Sequence, residues 1–258
     1  MPRFAANLTM LFTEVPMLDR PGLALQAGFD GVEVLFPYDH SGADWVAALA
    51  GAPVALINTP PGDWMAGDRG FAAMPDEVGR FRDSFLRGAD VAARLGAARL
   101  HVMAGVAKGP QAEQAFTENL AWAAAQAPGQ SLVIEPLNSD DMPGYFLNDF
   151  DQAARILDDL ALPRVGLQFD LWHAARIHGQ AQAVWERHKA RVGHIQIAGF
   201  PARNEPGGGG FDLTGLCSEV DAMGYDGWIS AEYRPSRATV HGLGWLSALK
   251  ARAQLIGA

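Results

Sequence analysis

The most restrictive feature of this 258-residue chain is an alternation of two periods that runs from its beginning to its end. Short apolar runs, the length of strands, occupy residues 4–10, 31–36, 53–58, 99–103, 131–134, 166–170, 194–197 and 228–232. After each comes a stripe with apolar residues three and four apart, the spacing of a helix face, over 18–27, 45–50, 77–95, 111–127, 150–160, 181–190, 213–223 and 243–256. Strand followed by helix, repeated, forces neighbouring strands to run parallel, because the chain must return along the outside of the sheet before starting the next one. Eight such units in a chain of this length predict an α/β fold of the (β/α)8, or TIM-barrel, type, a single domain over residues 1–258. An open doubly wound sheet is the other arrangement of such units. It fits less well, since no Gly-x-Gly-x-x-Gly follows the first strand.

The ends of the later strands carry the chemistry. Ser131-Leu132-Val133-Ile134-Glu135-Pro136-Leu137-Asn138 is an apolar run that stops on a carboxylate, because Pro136 cannot donate a ladder hydrogen bond. Three further runs finish in the same way, near Asp170, Gln196 and Glu232. In a closed barrel the C-terminal strand ends share one rim, where barrel enzymes hold their active sites; in an open sheet these four would not converge. Three carboxylates and an amide oxygen, with no thiolate or imidazole among them, suit a hard divalent cation, Mg2+ or Mn2+. Carboxylates crowded into a low-dielectric pocket repel one another, so protons or such a cation must offset the charge. Pairing with arginine or helix capping explains any one of these acids, but accounts poorly for four strand ends of one kind.

Around this set, His173 lies three residues past Asp170 and is expected beside the site as a hydrogen-bond donor to substrate. His194, two residues before Gln196, is expected deeper, as a supporting group. Arg203, Lys108 and Arg69 are the cations that loops could bring to an anionic substrate, and Trp64, Phe36 and Phe12 are candidate walls, although core packing is the blander role for each. Arg69 and Trp64 belong to a Gly- and Pro-rich segment, residues 59–74, of a length that is uncommon unless functional. The glycine run at 207–210 reads as a loop; no Lys-Ser/Thr pair follows it, as a phosphate-cradling loop would require.

Charge narrows the partners. Twenty-nine acids against twenty bases give a formal charge of −9, with no basic run, which argues against a nucleic-acid surface. The single cysteine, Cys217, excludes an intramolecular disulfide and a cysteine metal site, pointing to a reducing cytoplasm. No apolar run reaches the ~18 residues of a membrane span, and the N-terminus has no signal-like pattern, so no membrane partner is expected.

Several segments together resemble the hydroxypyruvate isomerase family, within the xylose-isomerase-like barrels. They are Phe4-Ala5-Ala6-Asn7-Leu8-Thr9-Met10-Leu11-Phe12, Gly31-Val32-Glu33 with Phe36-Pro37-Tyr38-Asp39, and Gly62-Asp63-Trp64 with Ala66-Gly67-Asp68-Arg69-Gly70. Ile134-Glu135-Pro136-Leu137-Asn138, His194-Ile195-Gln196-Ile197-Ala198 and Glu205-Pro206-Gly207 complete the set. The resemblance runs from the first strand to the last, and Gln196 distinguishes it from related sugar epimerases, which usually carry His there. It implies a barrel, a divalent metal held by Glu135, Asp170, Gln196 and Glu232, and acid/base catalysis by Glu135 and Glu232. The implied reaction converts a small 2-keto-3-hydroxy acid, hydroxypyruvate, to tartronate semialdehyde through an enediolate. The implied alternative is the four-carbon homologue, 2-oxo-tetronate. A homo-oligomer is expected because the family's proteins are commonly oligomeric. A more distant reading is a phosphodiesterase resembling the endonuclease IV barrels, which would call for more histidine ligands and a basic face.

Overall fold

A computed structural model of the chain describes residues 2–207 and 211–256; positions 208–210 of the glycine run lie outside the described residues. Among the described residues there are eight strands: β1 (Arg3–Asn7), β2 (Gly31–Glu33), β3 (Leu56–Asn58), β4 (Arg99–His101), β5 (Ser131–Ile134), β6 (Val165–Asp170), β7 (Val192–Ile197) and β8 (Trp228–Ala231). They form one parallel sheet in the order β2-β1-β8-β7-β6-β5-β4-β3. The sheet comes round on itself where the Ala55 N–H donates to the Val32 carbonyl (2.7 Å) and the Val34 N–H to the Leu56 carbonyl (3.1 Å). The expected (β/α)8 barrel is therefore the observed one.

Between the strands run α1 (Arg20–Gln26), α2 (Gly42–Leu49), α3 (Val78–Leu95), α4 (Pro110–Gln126), α5 (Phe150–Leu160), α6 (Leu171–His178), α7 (Ala181–His188), α8 (Leu213–Ala222) and α9 (Gly244–Ile256). The sequence reading expected eight helices; α6 is an additional one. It begins on the residue after β6, with no polar turn to announce it, and Asp170 serves as its cap by accepting the Trp172 N–H at 2.7 Å. Asp149 caps α5 as expected, by accepting the Gln152 N–H at 2.8 Å, whereas α2 begins three residues before its expected start, at Gly42.

Two apolar regions hold the molecule together. The larger lies between the sheet and the helices, and buries residues such as Phe85, Phe116, Phe150, Phe169 and Trp185 completely. The smaller is inside the barrel at the N-terminal strand ends, where Trp228 packs with Ala5 and Ala55. Gly31 makes room for that indole: a Cβ on it would lie 2.7 Å from Trp228 and 2.8 Å from the Pro53 carbonyl. The bottom is plugged by this ring, with the Arg3 guanidinium carbon 4.4 Å from its centroid and Arg99 donating to the Gly193 carbonyl at 3.0 Å, while the buried acids gather towards the opposite, C-terminal rim, where the site forms.

Candidate active site

Alternation along a strand sends every second side chain into the barrel. On β6 these are Gln168 and Asp170, on β7 His194 and Gln196, and the same phase carries inward to Glu135 and Glu232, each one residue past its strand. All six are buried. Asp170 and Gln196 are direct register partners across β6 and β7. The four strand-end residues are thus brought to one rim.

Above them opens a cavity of about 370 Å³. Glu135, Glu232, His173 and Arg203 line it from the β5–β8 side, while Met10, Leu35, Phe36 and Trp64 line it from the β1–β3 side. Arg203 comes from the loop after β7, where its backbone takes a left-handed conformation (φ 51°) and its carbonyl accepts the Arg234 N–H at 2.8 Å. Its Nη2 sits 3.2 Å from both Asp170 Oδ2 and Glu232 Oε2. Glu205 secures the same loop by accepting the N–H and hydroxyl of Ser236 at 2.9 and 3.0 Å. Lys108 is exposed and lies outside the cavity lining, and Arg69 touches the cavity only through Trp64, its guanidinium carbon standing 3.6 Å from that ring's centroid. Of the three candidate cations, the structure brings in Arg203 alone. Phe12 is buried away from the lining, in an edge-on contact with Phe29.

The electrostatics follow from this crowding. Burial, with Glu232 and Asp170 close by, holds the Glu135 carboxyl well above the usual carboxylate range. Burial does the same to Glu232, against the pull of Arg203. Asp170 is pushed up to about 6 by burial, again opposed by Arg203. A cation is what such a group lacks, and Arg203 supplies part of it.

Two histidines have tautomers fixed by their partners. His173 Nδ1 accepts the main-chain N–H of Asn138 at 3.0 Å, so the ring's hydrogen is on Nε2, 3.6 Å from Asp170 Oδ2. Burial also keeps its pKa well below the usual histidine value. His173 is therefore a neutral ring with its N–H at Nε2. His101 has acceptors at its other nitrogen, with Nδ1 3.1 Å from Asn58 Oδ1 and 3.6 Å from Glu135 Oε2, so there the hydrogen is on Nδ1. Burial pushes its pKa down to about 3.

The donor set fits a hard divalent cation. Ligand atoms of Glu135, Asp170 and His173 lie within 4.8 Å of one another, a carboxylate-rich group. A ring nitrogen that carries its hydrogen is a poor ligand, so the carboxylates, with Glu232, are the better donors. Gln196 is more committed: its oxygen accepts from Gln168 Nε2 and its nitrogen donates to Glu33 Oε1, both at 2.7 Å. The amide oxygen keeps a second lone pair.

Beneath the rim is a residue that the strand-end reading passed over. Glu33, at the end of β2, is wholly buried and accepts from Asn7 Nδ2 (2.7 Å), Gln196 Nε2 (2.7 Å) and His194 Nε2 (2.6 Å). Its strand ends on a carboxylate like the others, which is the signal that could have found it. His194 holds the deeper, supporting place expected of it. His101, at the end of β4, and Asn138 and Asp141, which carry His173 and Trp172, were not foreseen.

A parallel eight-stranded barrel with a cluster of carboxylates at its C-terminal rim defines a class of enzyme, the xylose isomerase-like TIM barrels. The family of that description matches residues 21–249, and the chain belongs to it. Within the class, the chain is 44% identical over 254 residues to a 2-oxo-tetronate isomerase of Cupriavidus necator, covering 95% of this chain and 98% of that one. It is 36% identical over 254 residues to the hydroxypyruvate isomerase of Escherichia coli K12, with the same coverage. These relatives make it an isomerase. Among solved structures, a Brucella melitensis protein described as an AP endonuclease, family 2, superposes with a TM-score of 0.91 at 39% identity, over 96% of this chain and 99% of that one.

Proposed function

We propose that the enzyme interconverts a 2-keto-3-hydroxy acid of three or four carbons and its isomer with the carbonyl at C3, by moving a proton between C3 and C2. One observation carries this reading: Glu135 and Glu232 are two buried carboxyls on one cavity, each held well above the usual carboxylate range. A raised pKa lets one accept a carbon-bound proton while the other, protonated, gives one back. One glutamate takes the C3 proton, the resulting enediol is protonated at C2 by the other, and one proton passes between the two substrate oxygens. Atoms balance, and no redox partner is needed. His173, a neutral donor through Nε2, hydrogen-bonds an oxygen of the substrate, and Arg203 pairs with its carboxylate. A divalent cation, Mg2+ or Mn2+, would be held by Glu135, Asp170, Gln196 and Glu232, and would supply Lewis-acid polarisation of the carbonyl and hydroxyl oxygens.

Hydroxypyruvate and tartronate semialdehyde are the three-carbon pair and 2-oxo-tetronate with its 3-oxo isomer the four-carbon pair. Relatives named for each acid support both readings, a 2-oxo-tetronate isomerase at 44% identity and a hydroxypyruvate isomerase at 36%. The test is proton NMR in D₂O with each acid, with Mg2+ or Mn2+ and with EDTA. Deuterium should enter at C3 of one acid in step with product formation, and EDTA should stop it. Glu135→Gln and Glu232→Gln should each lower turnover by at least about a hundredfold while melting normally. Near wild-type turnover in either variant would remove that glutamate from the acid/base pair. An abasic DNA duplex, tested at low salt, should be neither bound nor cut.

A further inference from the structure

Among residues 59–74, the long segment between β3 and α3, only Trp64 lines the cavity. The rest of the segment fixes that ring's position. Asp63 Oδ1 accepts the N–H groups of Met65 (3.0 Å) and Ala66 (3.1 Å). Asp68 Oδ2 accepts the Asp63 N–H at 2.9 Å and Arg80 Nη2 at 2.6 Å, tying the tip to α3. The Gly70 N–H donates to the Pro61 carbonyl at 2.8 Å and closes the loop at its base. Both Gly62 and Gly70 have positive φ, and a Cβ would approach Asp68 Oδ2 to 2.3 Å at the first and Met103 to 2.4 Å at the second. Neither place admits a side chain.

Arg69 completes the arrangement. Its guanidinium carbon stands 3.6 Å from the Trp64 ring centroid, and its Nη1 donates to the carbonyls of Trp64 (3.0 Å) and Asp68 (2.7 Å). Trp64 in turn packs on Phe36, with ring centroids 5.7 Å apart. The indole is held between a cation and a second aromatic ring at the apolar side of the cavity. Across from it are Glu135, Glu232 and Arg203, where the acid head and the reacting carbons belong. The far end of a substrate chain therefore comes to rest against Trp64.

We propose that Trp64 gauges substrate length, and that Arg69 is the positioning residue that holds the gauge in place. A substrate that lengthens at its far end meets the indole, so each added carbon is disfavoured. The inference rests on the isomerase reading above. One methylene in an apolar pocket is worth about 10- to 200-fold in discrimination, so removing the ring has a readable effect. The measurement is C3 deuterium exchange, as kcat/KM, for 2-oxo-tetronate and its six-carbon homologue. Wild type is compared with Trp64→Ala, Trp64→Phe, Arg69→Leu and Arg69→Lys, each with its tryptophan emission. Trp64→Ala should raise the six- to four-carbon ratio at least about tenfold, with Trp64→Phe in between. Arg69→Leu should raise it less and red-shift the part of the emission that Trp64→Phe removes, and Arg69→Lys should restore both in part. An unchanged ratio in Trp64→Ala, with wild type exchanging normally, would overturn this inference alone. No exchange of any acid by the wild type would overturn the isomerase reading and this inference with it.

Discussion

Asp170 uses its two oxygens for different purposes. Oδ1 caps α6, and Oδ2 faces Arg203 and His173 at 3.2 and 3.6 Å. The two uses can be separated by substitution. Asp170→Asn keeps an oxygen for the cap and should leave the melting temperature nearly unchanged, while weakening Mn2+ binding measured by titration. Asp170→Ala should lose the metal and, in addition, about 1 kcal/mol of stability from the missing cap. Equal melting of the two variants would show that the cap contributes nothing. At this scale the sequence discloses what depends on position along a strand: Glu135, Asp170, Gln196 and Glu232 each end an apolar run, and the barrel turns four ends into one site. It does not disclose which loop cation folds inward. Arg203, Arg69 and Lys108 look alike in the chain, and only the backbone turn at φ 51° and the Asp170–Glu232 pair single out the first. His101 was missed for a related reason, since the hydrogen bond that fixes it comes from Asn58, 43 residues away.

Elements were legible where their signals are local. The stripes of α3, α4 and α5 and the Asp149 cap follow from spacing and composition, and the observed bounds differ from the expected ones by no more than one residue. β1 and β2 are shorter than their apolar runs, because the chain leaves the sheet while its side chains are still buried; the Leu8 N–H, past the end of β1, still donates to the Glu33 carbonyl at 2.8 Å. α6 escaped notice because strand and helix meet at one residue with no turn between. The lower end of the barrel gives an element-scale expectation. Gly31→Ala would press a methyl group against Trp228, and overpacking of this kind costs about 1–3 kcal/mol, so its melting temperature should fall with the metal affinity preserved. An unchanged melting temperature would mean that the indole shifts without cost.

For the molecule as a whole, the raised carboxyls set a pH dependence. A buried acid whose folded pKa exceeds its unfolded value takes up a proton on folding, so it favours the folded state as pH falls through the folded value. Asp170, at about 6, with Glu135 and Glu232 also raised, should make the metal-free protein melt higher at about pH 5.5 than at about pH 7.5. A divalent cation competing for the same oxygens should abolish or reverse that gain. Below the ordinary carboxylate range the trend should turn, as Asp151 and Asp158, held low by Arg187 and Arg191, lose those partners. A metal-free melting temperature no higher at about pH 5.5 than at about pH 7.5 would contradict this account of the site. Arg203 gives the whole chain a further property. Its positive charge is tethered among the acids by the backbone itself, so dilution cannot remove it. The rim can therefore fold with part of its negative charge already offset from within the chain.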